Sequence, residues 1–238
     1  MPNERIYKYY SPSEYNLDAL FNKFFLFSKR ENLNDPFDLG NFRSGRKVLA
    51  INDLFDLIMS KNATDFDSAT IIKSFPEYAS CSFTNNPLNK QMWAYYAKDY
   101  SGWCVHFEVG ELKTKNPSPL TPVIYVDDKL SQINNTNMYY KTNDIETIIR
   151  KILCTKHESW KHEQEKRIIV KMNNGKIGDS RRWGTYRPIG ITIGNKINSA
   201  YRSLIQLYCK NEGIPLYEVA LSTTDFSLTQ KELYNIIN

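Results

Sequence analysis

The chain has 238 residues, of which 41% are hydrophobic and 24% charged, with a formal net charge of +5. This composition describes a globular protein with a sizeable core and argues against a disordered chain. The charge is too weak to mark a nucleic-acid binder by itself, and Cys81, Cys104, Cys154 and Cys209 lack the C-x-x-C spacing of a zinc or redox site.

Arg5–Tyr10 (RIYKYY) is rich in β-formers and predicts a first strand. Ser13, Glu14, Leu17, Leu20 and Phe21 predict a short helix, and Phe24–Ser28 a second strand. Asn34-Asp35-Pro36 is turn chemistry, because the proline pushes Asp35 out of the helical region. Val48–Ser60 and Asp67–Phe75 have helical spacing. Tyr78–Thr84 predicts a strand, Leu88–Lys98 an aromatic helix and Gly102–Val109 a strand. Pro117–Pro122 reads as a loop before a short strand, Val123–Val126, and Lys129–Asn143 as a flexible excursion. Asp144–Lys156 has an acidic start and a basic end, as a helix dipole prefers. Glu163–Lys171 predicts a strand and Asn173–Gly184 a loop. Tyr186–Ile193, a helix over Asn198–Lys210 and Leu216–Leu221 close the chain as strand, helix, strand. Strands and helices mix without strict alternation, so the expected fold is α+β. We expect a single domain over 1–238, with a central mixed or split sheet flanked by helices. The N-terminus has no apolar signal region and no stretch approaches ~18 apolar residues, which leads to the expectation of a cytoplasmic protein off the membrane.

Three constellations could carry chemistry. In Trp160–Arg167 (WKHEQEKR), strand alternation would put Glu163, Glu165 and Arg167 on one face. Paired carboxylates raise one another's pKa unless a cation offsets them, and they suit acid/base work or stabilisation of a developing cation. The same pattern also fits a salt-bridged strand face turned to solvent. Ser82 and Thr84 share a face, as ordinary strand residues also do. Trp93, Tyr95, Tyr96, Tyr100 and Trp103 suit either a core or a stacking platform for a flat ring. His106, His157 and His162 lack the one-face spacing of a zinc helix, so no metal is expected.

NDPF (Asn34–Phe37), CSFT (Cys81–Thr84), MWAYYA (Met92–Ala97), SGWCVHFE (Ser101–Glu108) and WKHEQEKRI (Trp160–Ile168) occur in an order that resembles the bacterial domain-of-unknown-function family 2971. IYKYYS at the start and ITIGNKI (Ile191–Ile197) fit the same pattern. That resemblance implies no settled activity. A second resemblance is to mono-ADP-ribosyltransferases, which place a basic or aromatic position on the first strand, then a Ser-x-Ser/Thr step, then Glu-x-Glu. Here the corresponding residues are Arg5 and Lys8, then Ser82 and Thr84, then Glu163 and Glu165. The step is Ser-Phe-Thr and not Ser-Thr-Ser, a departure from the pattern.

This second resemblance implies an enzyme that uses NAD as substrate. Glu165 would hold the ribose and stabilise an oxocarbenium ion, and Glu163 would orient or deprotonate the acceptor. Arg5, Lys8, Tyr9, Asn34, Ser82, Thr84, Trp93 and Tyr96 make up the expected cofactor-binding set. The implied setting is a bacterial toxin or anti-phage effector with a protein or nucleic-acid acceptor, and with an antitoxin or defence-system partner. Two alternatives stay open. One is a non-catalytic module that binds a nucleotide or RNA in an aromatic cleft. The other is a hydrolase using the same carboxylates with water as acceptor.

Overall fold

The computed structural model describes residues 4–29, 32–35, 38, 78–112, 119–127, 150, 153–172 and 183–234, and its period-two sequences form one large mixed sheet. In spatial order the strands are β13 (Leu228–Tyr234), β12 (Leu216–Leu221), β11 (Gly190–Ile193), β5 (Trp103–Glu108), β1 (Arg5–Tyr10), β4 (Tyr78–Thr84), β9 (Glu165–Lys171) and β6 (Leu120–Pro122). A short β3 (Ser28–Lys29) also pairs with β4. Small two-stranded pieces join β2 (Phe24–Phe25) to β10 (Trp183–Thr185), and β7 (Ile124–Val126) to β8 (Thr155–His157). The fold is α+β, as the mixed order of elements predicts.

Sequence parity sorts the sheet's two faces. Ile6, Tyr10, Cys81, Phe83, Val105, Phe107, Ile191 and Ile193 point to one face. There they meet Leu20 of α1 (Glu14–Phe21) and Ile205, Tyr208 and Cys209 of α3 (Ser199–Glu212). Tyr9, Cys104, Val219 and Leu228 point to the other, against Met92, Trp93 and Ala97 of and after α2 (Lys90–Tyr95). Each fully buried large side chain contributes roughly 1.5–3 kcal/mol. Local chemistry fixes the helix ends. Ser13, Asn89 and Asn198 cap α1, α2 and α3, each side chain accepting from the backbone N–H three residues further on. Gly213, at φ 67°, closes α3 and turns the chain into β12, parallel to β11.

The sheet splits at β4. Its long edge pairs with β9 from Tyr78 to Thr84, while its other edge is shared. There β1 meets β4 only at Tyr7 and Thr84, and β3 only at Ser80 and Ala79. Ser82 sits in the gap, where the Lys8 ammonium donates to its carbonyl at 3.1 Å.

Several expected boundaries move. Phe24–Ser28 is two pieces bonded to different neighbours, because the chain leaves β10 to reach β4. Leu88–Lys98 shrinks to Lys90–Tyr95, and Lys98, Asp99 and Tyr100 then adopt positive φ. Residues 120–122 of the expected proline loop form edge strand β6, where Pro122 is tolerated. Lys156, expected at a helix end, is inside β8. Glu163 ends a 3-10 turn, Glu158–Glu163, before the strand starts. Strand β13 was not anticipated. The helices expected over Val48–Ser60 and Asp67–Phe75, and the excursion over Lys129–Asn143, lie outside the described residues.

Candidate functional site

A cavity of about 250 Å³ opens where β1 and β4 part. Its walls come from β1, β3, β4, α2, β8, the 3-10 turn, the start of β9, residues 32–34 and Asp38. Parity along β4 turns Ser80, Ser82 and Thr84 away from the Cys81 and Phe83 side, onto the same face as their partners Ile169, Arg167 and Glu165 on β9.

Glu163 and Glu165 do converge, by an unexpected route. Gln164, at φ 47°, breaks the strand period between them. The Thr84 hydroxyl donates to the Glu163 carbonyl at 2.7 Å and holds the turn. Asn89 caps α2 and also donates its amide to the His162 carbonyl, which locks the aromatic helix to the acidic turn. The Tyr96 hydroxyl then donates to Glu163 Oε1 at 2.6 Å. Lys156 Nζ donates to Glu163 Oε2 at 2.6 Å and lies 3.5 Å from both Glu165 Oε2 and Asp38 Oδ2.

Arg167 organises the other half. Its Nε and Nη2 donate to the two oxygens of Glu165 at 2.7 and 2.8 Å, and Nη1 and Nη2 donate to Asp38 at 2.6 Å. A further Nη1 bond, at 2.7 Å, reaches the Leu153 carbonyl. All five side chains are buried. Three carboxylates face two cations, which leaves the cluster with one negative charge in excess.

The two glutamates differ in electrostatics. Burial pushes the Glu163 carboxyl up, and Glu165 adds to this; Lys156 and Tyr96 pull it back, and the net position is above the ordinary carboxylate value. Burial would also raise Glu165. The Arg167 charge and hydrogen bonds, then Lys156 and Ser82, outweigh it and hold it down to about 2. Burial opposes the charge on Lys156, but Glu165, Asp38 and Glu163 more than offset it and raise its pKa. The solvent-facing salt-bridged strand considered from sequence is therefore not the arrangement found.

Of the expected binding set, Tyr9, Asn34, Ser82, Thr84 and Tyr96 border the cavity together with both glutamates. Asn34 sits at the exposed rim, with its side chain against the Tyr96 hydroxyl. Tyr9 is tied through its hydroxyl to the Asn86 carbonyl at 2.9 Å. Lys8 borders the cavity, yet its side chain belongs to the opposite face, where its ammonium meets the Tyr10 and Phe83 rings. Two expectations need correction. Arg5 is exposed at the start of β1 and does not border the cavity. Trp93 is fully buried, stacked on Tyr100 and edge-on to Tyr9, with its indole N–H on the Pro87 carbonyl; no ligand can stack on it. Trp103 is likewise core, and Tyr95 is exposed away from the cavity.

Sequence reading missed Asp38, Asn89, Tyr125 and Lys156. The Tyr125 hydroxyl accepts from the Glu165 backbone N–H at 2.8 Å. Only Asn89 carried a signal, as a capping residue after Pro87 and before an apolar run. Among the described residues, no group of three His, Cys, Asp or Glu is arranged to hold a metal, and no helix is long and apolar enough to cross a membrane.

Fold and site together define an α+β protein with a buried acidic cluster at the floor of a sheet-split cavity. Residues 92–168 match the model of a family described as a protein of unknown function, DUF2971, so the resemblance carried by MWAYYA, SGWCVHFE and WKHEQEKRI is borne out over that segment. No curated protein matches the chain, and no solved structure does.

Proposed function

We propose that the chain is an NAD-dependent ADP-ribosyltransferase-like enzyme whose reacting carboxylate is Glu163. The observation that carries this reading is the pairing of two carboxylates on one cavity with opposite electrostatic character. Such divergence separates a group able to exchange a proton from one fixed as a charge. Both Glu165 oxygens are occupied by Arg167, so Glu165 acts as the fixed charge and positions its neighbours. Glu163 keeps exchangeable partners, Tyr96 and Lys156.

The chemistry balances. The bond from ribose C1′ to the pyridinium nitrogen breaks, both electrons leaving with neutral nicotinamide, and an oxocarbenium ion remains. The surplus negative charge of the cluster favours that cation. A heteroatom of the acceptor attacks C1′ and gives its proton to ionised Glu163. The cavity volume is below the ~300–1,000 Å³ typical of small-molecule sites. It therefore encloses the nicotinamide–ribose end and leaves the adenylate outside. The binding-module alternative draws less support, because Trp93 and Trp103 are packed in the core.

The test is nicotinamide release from NAD by the purified chain. Glu163→Gln is expected to lower the rate at least ~100-fold, within the range for general acid/base groups, with the thermal melt unchanged. The reaction needs ionised Glu163, so the rate rises with pH, on a limb above the ordinary carboxylate range. Equal rates in wild type and mutant would sink the reading. Labelled ADP-ribose ending free in solution would indicate water as acceptor.

A further inference from the structure

The cavity wall away from the carboxylates carries a hydroxyl that the fold leaves unmatched. Ser80 of β4 is 2% exposed, and its Oγ has no hydrogen-bond partner among the described residues. Buried hydroxyls are almost always paired, and an exception points to a partner arriving from outside. Ser80 borders the cavity, and so does Ser28, its Cα partner on β3. Ser80 and Ser82 share a face one pleat repeat apart, about 7 Å along the strand. Ser82 in turn hydrogen-bonds Glu165. The unmatched hydroxyl therefore stands one step along the cavity wall from the acidic cluster.

Resting on the NAD reading above, we infer that Ser80 is the specificity-determining residue that recognises the carboxamide of the nicotinamide ring. A ring leaving C1′ beside the glutamates extends its carboxamide along this wall. A primary carboxamide offers an acceptor oxygen and a donor NH₂ in one plane, and a serine hydroxyl can serve either. The neighbouring Ser28 hydroxyl gives the group a second contact. A site that hydrogen-bonds a ligand group rejects the analogue that lacks it, because the protein's own polar atom is then left unpaired.

The test uses free nicotinamide and 3-methylpyridine, which lacks the carboxamide, as titrants of the intact chain by calorimetry and thermal shift. Wild type is expected to bind nicotinamide at least 10-fold tighter than 3-methylpyridine. Ser80→Ala should lose most of that preference while melting at or above the wild-type temperature, since an unmatched polar atom has been removed. Ser80→Cys, similar in size and a weak donor, gives the same answer if the alanine variant folds poorly. Absence of nicotinamide binding by wild type, or an unchanged preference in both variants, would overturn the inference. The two readings fail separately. NAD cleavage with an unaltered preference in Ser80→Ala leaves the enzyme and removes the subsite. A Ser80-dependent preference without NAD cleavage does the reverse.

Discussion

Arg167 is buried at 1% exposure and its guanidinium is shared by Glu165, Asp38 and the Leu153 carbonyl. Desolvating that charge is costly, and only full use of its planar fork offsets the cost. Removing it strands two buried carboxylates. Arg167→Met is therefore expected to destabilise the fold by roughly 3–5 kcal/mol. Arg167→Lys should also destabilise it, because an ammonium cannot serve two carboxylates in bidentate fashion. Urea denaturation measures both, and a loss below ~1 kcal/mol in Arg167→Met would show that the network is dispensable. A sequence reader sees Glu-x-Arg on a strand and can infer a shared face. The burial that makes the arginine indispensable depends on Asp38 and Leu153, 129 and 14 residues away.

The aromatic helix α2 ends early because Lys98, Asp99 and Tyr100 take positive φ in succession, a costly conformation for residues with side chains. The turn is held by backbone contacts to the β11–α3 connection. Gly194 N donates to the Gly102 carbonyl at 2.9 Å, and Lys196 N to the Tyr100 carbonyl at 3.0 Å. The approach leaves no room for a side chain, since a Cβ on Gly194 would lie 1.9 Å from the Tyr100 carbonyl oxygen. Gly194→Ala should destabilise the protein by about 3 kcal/mol or more, beyond ordinary overpacking because the obstacle is backbone. Gly110→Ala, with nothing within 4 Å of the new Cβ, should stay within ~0.5 kcal/mol. Comparable melts for the two variants would refute this account of the turn. Helical spacing of Met92, Trp93 and Tyr96 was visible in the sequence. The stop was not, because the contacts that hold it come from the β11–α3 connection more than ninety residues later.

Across the whole molecule, the buried ionic cluster joins β8, the 3-10 turn, β9 and Asp38, so its titration should be felt as global stability. Glu165 is held down to about 2 against an ordinary value of 4.5. Its contribution is complete above 4.5 and is lost as pH falls through the window to about 2. Glu163 has the opposite sign. Its raised pKa means the folded state binds that proton first, so mild acidification towards 4.5 relieves a strain. Buried His106, held down to about 4 from an ordinary 6.5, loses stability as pH falls through that window, so unfolding free energy from urea melts should decline below about 6.5 and drop most steeply below 4.5, where Glu165 adds to it. Glu165→Gln should flatten the drop. An equally steep drop below pH 4.5 in Glu165→Gln would contradict the assignment.

By itself the sequence determined most strands and helix starts, because period-two alternation, capping residues and helical spacing are local signals. It determined that Ser82 and Thr84 share a face and that Glu165 and Arg167 do too, since pleat parity needs no partner. Only the tertiary structure decided which face is the cavity, because that depends on β1 and β3 dividing one edge of β4. It placed Trp93 in the core and Tyr96 on the cavity, although they stand three positions apart on one aromatic run. It brought Lys156 and Asp38 to Glu163 and Glu165. Charges this far apart in sequence carry no pattern, and burial alone, by removing water, makes them depend on one another.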